Sequence, residues 1–194
     1  FFPFPNTYRC PWEQTTIEDS IKASKTALEN SNLFNQDTAA VIIETVQGEG
    51  GYVPVPIPFL QKLEEICKSK GILFIVDEIQ SGIGRTGKWF AYQYANIEPD
   101  IIVSAKGIAS GMPLSACIAK KDIMNQWPAG AHGGTYGGNP VTCAAGFATL
   151  NVVEQCLSQV MELSELASSI LTSQIGDHKL VGDIRIYGLM IGIE

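Results

Sequence analysis

Three short apolar segments narrow the choice of fold for this chain. They read AVIIET, ILFIVDE and DIIVSAK, and they end near Glu44, Asp77 and Lys106. Segments that are apolar throughout, rather than at alternate positions, are typical of strands buried on both faces of a parallel sheet. A fourth segment, PLSACIA, is expected to form a further strand. The pattern predicts an α/β fold: a mainly parallel sheet with helices on both faces.

Capped or amphipathic segments between these strands predict the helices. Thr15 and Glu18 have the spacing of a capping box, which predicts a helix that runs to about residue 30. The segment PFLQKLEEICKSKG has one apolar face and ends in glycine, a common helix stop. Asn139, followed by proline, predicts the start of a mostly apolar helix. A separate helix is expected over about 159–175.

Composition excludes several classes of function. The chain has 194 residues, enough for a sizeable core, and a net charge of −7, which argues against a nucleic-acid partner. No apolar segment approaches membrane-spanning length, and the start FFPFPNTYRCPW lacks the features of a signal peptide. Five scattered cysteines without a C-x-x-C pair are typical of reduced thiols in a cytoplasmic protein. Two isolated histidines predict no metal site.

Glu44, Asp77 and Lys106 are expected to lie at one edge of the sheet. The carboxyl ends of parallel strands meet at that edge, and ligands of open α/β sheets bind there. Each residue alone is weak evidence, because charged residues at strand ends are often only solvated. Together they form either a functional arrangement or an ion pair.

A glycine-rich segment, HGGTYGGNP, places the Thr135 hydroxyl just before a predicted helix start. Exposed backbone N–H groups and a hydroxyl can bind an anion there. A tight glycine turn, with Thr135 as a local cap, explains the pattern equally well.

A lysine beside an acid favours one chemistry, a Schiff base with pyridoxal phosphate. If Lys106 is buried, desolvation leaves more of its amine uncharged and able to attack an aldehyde. Asp77 can keep a ring nitrogen protonated, so that the ring accepts electrons. The small residues around Lys106 leave the side chain room to move.

Four segments together resemble the class III aminotransferases, fold type I pyridoxal phosphate enzymes. They read IIETVQGEGGYVPVP, GILFIVDEIQSGIGRTGKWFAYQ, PDIIVSAKGIASGMPLSACIAKKDIM and GGTYGGNPVTCAAGFATL, and they occur in the family's order. Within the family the chain is most similar to the 4-aminobutyrate aminotransferases. The resemblance runs over residues 1–194.

This resemblance implies a role for each matching residue of the cofactor site. Lys106 is expected to form the Schiff base and then to shuttle a proton. Asp77 would bind the ring nitrogen, Gln80 would bind near the ring hydroxyl, and Ile79 would pack on the ring face. Thr135 would reach the cofactor phosphate of a neighbouring subunit, which implies a homodimer with shared active sites.

The resemblance also implies a substrate pocket and a reaction. Glu49, in QGEGG, is expected to pair with a switching arginine, and Glu44 to line the same pocket; on sequence alone, either could be a solvated carboxylate. The reaction would be a ping-pong transamination of an ω-amino acid, such as 4-aminobutyrate, with 2-oxoglutarate as the acceptor. Other class III activities stay open: acetylornithine, ornithine and diamine aminotransferases, a dialkylglycine-type decarboxylase and a semialdehyde aminomutase.

The resemblance divides the chain into two parts. Residues 1–178 would be part of the large, cofactor-binding domain, and 179–194 the first strand of the small C-terminal domain. The family's phosphate loop, ring-stacking aromatic residue and carboxylate-binding arginine have no counterpart in these residues. We therefore expect a central fragment whose 194 residues alone are inactive, and a non-catalytic chain is the alternative.

Overall fold

The computed structural model describes residues 1–194, which form eight strands and four α-helices. The strands are β1 (Ala40–Glu44), β2 (Val46–Gln47), β3 (Val53–Pro54), β4 (Leu73–Asp77), β5 (Ile101–Ser104), β6 (Ala116–Ala119), β7 (Ile184–Tyr187) and β8 (Met190–Ile193). The helices are α1 (Ile17–Glu29), α2 (Ile57–Lys70), α3 (Lys121–Met124) and α4 (Pro140–Ile175).

The central sheet has the strand order β1-β4-β5-β6. Strands β1, β4 and β5 are parallel, and β6 pairs with β5 in the antiparallel sense at one edge. Each of the three predicted apolar segments is therefore a strand, and the predicted α/β class with a mainly parallel sheet is confirmed. PLSACIA also forms a strand, as predicted.

The core lies between the sheet and two helices. Large side chains from α1, α2 and β4 in this core are each at most 2% exposed: Leu28, Phe59, Leu63, Phe74 and Val76. Burial of such a side chain stabilises the fold by about 1.5–3 kcal/mol. On the opposite face of the sheet Ile42 is 61% exposed, while α4 packs on the turn after β5 and on β7.

Two helix boundaries differ from the sequence-based expectation. The cap of α1 is Thr16, not Thr15: its Oγ1 accepts a hydrogen bond from Asp19 N and donates one to Asp19 Oδ2. The two helices expected after Asn139 are one continuous helix, α4, of 36 residues. No glycine or proline lies between positions 147 and 175 to interrupt its hydrogen bonds, so the backbone continues.

The C-terminal residues form a hairpin rather than a single strand. Strands β7 and β8 are antiparallel, and Met190 is 2% exposed against Val46 and Ala91. Arg185 binds this hairpin to the loop after β2, because its Nε and Nη2 both donate to Gly51 O at 3.1 and 3.0 Å. A domain boundary near residue 178 stays a prediction.

No helix in the structure is long and apolar enough to cross a membrane. No group of three or more His, Cys, Asp or Glu side chains is placed to hold a metal ion.

Candidate active site

The register of the sheet brings Glu44 and Asp77 together. Glu44 pairs with Asp77 across β1 and β4, and Asp77 pairs with Val103 across β4 and β5, so all three lie in one row. Asp77 Oδ1 accepts a hydrogen bond from Ile79 N at 3.0 Å, which fixes the start of the turn after β4. No donor within the chain reaches its second oxygen, Oδ2. The partly buried Asp77 thus keeps an acceptor for a ligand.

Lys106 lies two residues beyond β5, at the start of a single 3₁₀ turn. Its φ is +47°, a left-handed conformation that is uncommon for a residue with a side chain. Such conformations concentrate at functional sites. The expectation that Lys106 is buried is wrong for this chain, because Lys106 is exposed, although Ser104, Ile108 and Ala109 near it are buried. The exposed amine does not form the ion pair considered above: none of the seven ion pairs includes Lys106.

A cavity of about 450 Å³ lies beside Lys106. Gln80 and Arg85 contribute polar groups to its wall, and side chains of α4 and β8, among them Leu157 and Met190, contribute apolar surface. Two of the predicted site residues, Lys106 and Gln80, therefore meet in one cavity. The other five do not line it: Glu44, Glu49, Asp77, Ile79 and Thr135.

Gln80 is held against the loop that follows β2. Its Oε1 is buried and has no hydrogen-bond partner, and a Cβ at Gly48 would lie only 1.8 Å from it. Glu44 holds the same loop, because its Oε2 accepts a hydrogen bond from Gly48 N at 2.8 Å. The position of the Gln80 amide therefore depends on glycine at residue 48.

These groups fit the cofactor expected from the sequence. A pyridine ring with a protonated nitrogen and a hydroxyl needs an acceptor for the N–H and a partner for the hydroxyl. Asp77 Oδ2 provides the first, and the unpartnered Gln80 amide provides the second. Lys106 provides the amine from the wall of the same cavity as Gln80.

Thr135 and Glu49 lie apart from this cavity. Thr135 is exposed in a turn closed by a bond from Gly137 N to Gly134 O, and no hydrogen bond to its hydroxyl is present. Glu49 is exposed in the loop after β2. Their proposed contacts to phosphate and to substrate stay predictions.

Two further residues belong to this region and have weak sequence signals. Glu78 is completely buried between Asp77 and Gln80, and its partners come from distant parts of the chain. Only its position directly after a buried strand singles it out in the sequence. Arg85 lines the cavity with Lys106, although its sequence context matches no phosphate-binding motif.

Comparison with known proteins places the chain among aminotransferases. The family model described as aminotransferase class-III matches residues 1–194. The acetylornithine aminotransferase of Aquifex aeolicus is 43% identical over 162 residues, which cover 84% of this chain and 42% of that protein. The diaminobutyrate–2-oxoglutarate aminotransferase of Rhizobium meliloti is 38% identical over 201 residues, 100% of this chain and 42% of that protein.

Solved structures agree with these relatives. An aminotransferase from Bacillus anthracis superposes with a TM-score of 0.84 at 35% identity, covering 98% of this chain and 44% of that one. The ornithine aminotransferase of Plasmodium yoelii superposes with a TM-score of 0.81 at 37% identity, covering 88% of this chain and 46% of that one. The chain thus spans less than half the length of these relatives. Because the family model matches its full length, the chain belongs to the class III aminotransferases.

Proposed function

We propose that this chain carries the central part of the active site of a pyridoxal phosphate-dependent aminotransferase. One observation carries the proposal: Lys106 and Gln80 line a single cavity just beyond the parallel strands, one of which ends in Asp77. The family fixes the cofactor, since class III aminotransferases use pyridoxal phosphate.

The three residues have complementary roles. When bound, pyridoxal phosphate supplies an aldehyde that condenses with amines and a ring that accepts electrons from the substrate. Lys106 would hold the cofactor with its amine and, when that amine is free, would carry a proton at Nζ. Asp77 Oδ2 would accept the ring N–H, and Gln80 would bind near the ring hydroxyl. Ile79 is proposed to pack on the ring face.

The amino donor is proposed to be an ω-amino acid, with 2-oxoglutarate as acceptor in a ping-pong cycle. The names of the relatives support donors of the acetylornithine, ornithine and diaminobutyrate type, and 4-aminobutyrate is the further candidate. Arg85 and Lys106 line the same cavity, whose remaining wall is largely apolar. That mixture suits an anionic substrate with an aliphatic chain.

A homodimer and a cytoplasmic location complete the proposal. The exposed Thr135 lies apart from the cavity, which is consistent with contact to a neighbouring subunit's cofactor. All five cysteines are free, as in reducing compartments.

Chemical trapping tests the assignment of Lys106. The full-length protein that contains these residues is incubated with pyridoxal phosphate, reduced with borohydride, digested and mapped by mass spectrometry. We expect the pyridoxyl group on Lys106 and its loss in Lys106→Arg. Lys88→Arg is the matched control and should label as the wild type does. A label on another lysine instead would refute the assignment.

Single-turnover absorbance then ranks the donors. Acetylornithine, ornithine, diaminobutyrate and 4-aminobutyrate are each mixed with the cofactor-loaded protein, and the conversion of bound cofactor to its amine form is followed. Conversion by none of these donors would contradict an ω-amino substrate.

A further inference from the structure

Glu78 is the one carboxylate enclosed completely by the fold. It is 0% exposed and lies between Asp77 and Gln80 in the sequence. A buried carboxylate is costly unless it is paired or hydrogen-bonded. None of the seven ion pairs includes Glu78. Burial raises the pKa of its carboxyl group, although four hydrogen bonds act in the opposite direction.

Those four hydrogen bonds divide evenly between the two oxygens. Oε1 accepts from Thr45 Oγ1 at 2.9 Å and from Tyr92 N at 2.8 Å. Oε2 accepts from Ser81 Oγ at 2.6 Å and from Ala91 N at 3.0 Å. Each oxygen therefore binds one hydroxyl and one backbone N–H. A hydroxyl can turn and accept instead, but a backbone N–H can only donate.

The donors come from three separate segments, two of which adjoin predicted site residues. Thr45 directly follows Glu44 at the end of β1, and Ser81 directly follows Gln80. The two backbone donors lie in a separate 3₁₀ turn, Ala91–Tyr94. The main chain of Glu78 is fixed as well, since its N–H donates to Val103 O at 2.9 Å and its carbonyl accepts from Gly82 N at 3.0 Å. The turn from Asp77 to Gly82 is thus anchored at its second residue, directly after Asp77.

We propose that Glu78 is a positioning residue that holds Asp77 and Gln80 in their cofactor-binding arrangement. It does not face the cavity itself and acts only through the turn that carries the two neighbours. The inference rests on the proposed function, in which Asp77 and Gln80 bind pyridoxal phosphate.

Glu78→Gln is the sharpest substitution because it keeps the size and removes one acceptor. Whichever oxygen becomes NH₂, that group faces a backbone N–H, of either Ala91 or Tyr92, and one donor is left without a partner. A buried unsatisfied group is a substantial perturbation, so the turn should relax. We expect the dissociation constant for pyridoxal phosphate to rise at least about 5-fold.

The experiment uses the full-length protein and compares four forms. These are the wild type, Glu78→Gln, the exposed-glutamate control Glu98→Gln, and Leu63→Ala, which destabilises the core away from the cavity. Pyridoxal phosphate is titrated by absorbance, and visible circular dichroism reports the orientation of the bound cofactor. Urea unfolding of the cofactor-free protein is measured in parallel.

A positioning role predicts that only Glu78→Gln changes both the dissociation constant and the dichroism of the bound cofactor. Leu63→Ala should lower the unfolding midpoint and leave the dichroism unchanged. If Glu78→Gln lowers the midpoint but binds the cofactor as the wild type does, Glu78 is only structural and the inference is overturned.

Two milder variants cover the case in which Glu78→Gln does not fold. Thr45→Val and Ser81→Ala each remove one hydroxyl donor and leave both backbone donors in place, so each should raise the dissociation constant about 2-fold or more. Unchanged binding in both would overturn the inference. A wild type that cannot be trapped at Lys106 overturns the proposed function and, with it, this role of Glu78. If the wild type is trapped at Lys106 and Glu78→Gln binds the cofactor as the wild type does, only the positioning role is overturned.

Discussion

Gly48→Ala should weaken cofactor binding without unfolding the protein. The new Cβ would lie 1.8 Å from Gln80 Oε1 and 2.8 Å from Gln80 Cδ. Contact between non-bonded atoms is comfortable only at about 3.5 Å, so the Gln80 amide must move by roughly 1.5 Å. The φ of Gly48 is not left-handed, and an alanine backbone is therefore tolerated.

The magnitude follows from the one interaction that is displaced. The proposed hydrogen bond between the Gln80 amide and the cofactor would contribute about 0.5–1.5 kcal/mol. Its loss corresponds to a rise of about 2- to 13-fold in the dissociation constant for pyridoxal phosphate. The free energy of unfolding should change by no more than about 1 kcal/mol, since a less flexible unfolded chain offsets the movement of Gln80.

Absorbance titration of the full-length protein measures the effect, and a double-mutant cycle locates it. In a Gln80→Ala background, Gly48→Ala should have no further effect on the dissociation constant. The matched control is Gly50→Ala, whose Cβ would lie 2.2 Å from Gln47 Oε1, a glutamine outside the cavity. An equal loss of affinity with and without Gln80 would show that the cause is not the displaced amide.

Two further substitutions test the fold. In urea unfolding, Gly188→Ala should destabilise the protein by about 1–3 kcal/mol more than the control Gly111→Ala. Both glycines have a positive φ, but only at Gly188 would a new Cβ meet the backbone, 2.4 Å from Thr86 Cα. Equal effects would rule out the clash. The second substitution is at Asp100. Burial acts to raise the pKa of Asp100, but hydrogen bonds from Lys120 Nζ and a backbone N–H outweigh burial and lower that pKa. The stabilisation that Asp100 contributes is therefore complete at neutral pH and is lost as the pH falls below about 4. Asp100→Asn should therefore cost about 1 kcal/mol at pH 7 and less at pH 3, and an equal cost at both pH values would contradict the ion pair.

The strands and their ends could be predicted because both are local properties of the sequence. Uninterrupted apolar residues mark β1, β4 and β5, and the charged residue that ends each run marks the edge of the sheet. The merger of two predicted helices into α4 was missed because polar residues near 158 resemble a helix end, although none of them stops a helix. The cap of α1 was predicted one residue too early, at Thr15 and not at Thr16, because each of these threonines is followed three positions later by an acidic residue.

The contacts within the candidate site could not be predicted in the same way. Gln80 against Gly48, and Glu78 with Thr45 and Tyr92, join residues 14 to 33 positions apart. No periodicity or motif spacing records such pairs, because they depend on how the loops cross above the sheet. Exposure of Lys106 is likewise a property of the surrounding surface rather than of its neighbours in the sequence.

The charged groups at the edge of the sheet divide into two kinds. Glu78 has hydrogen-bond donors on both of its oxygens and holds the turn around residue 80. Glu44 and Asp77 each accept one backbone N–H and keep their second oxygen free, and Lys106 has no ionic partner. A fold that only needed to neutralise its charges would pair the lysine with one of these two carboxylates. The groups left unpaired supply what pyridoxal phosphate requires, an acceptor for its ring nitrogen and an amine for its aldehyde.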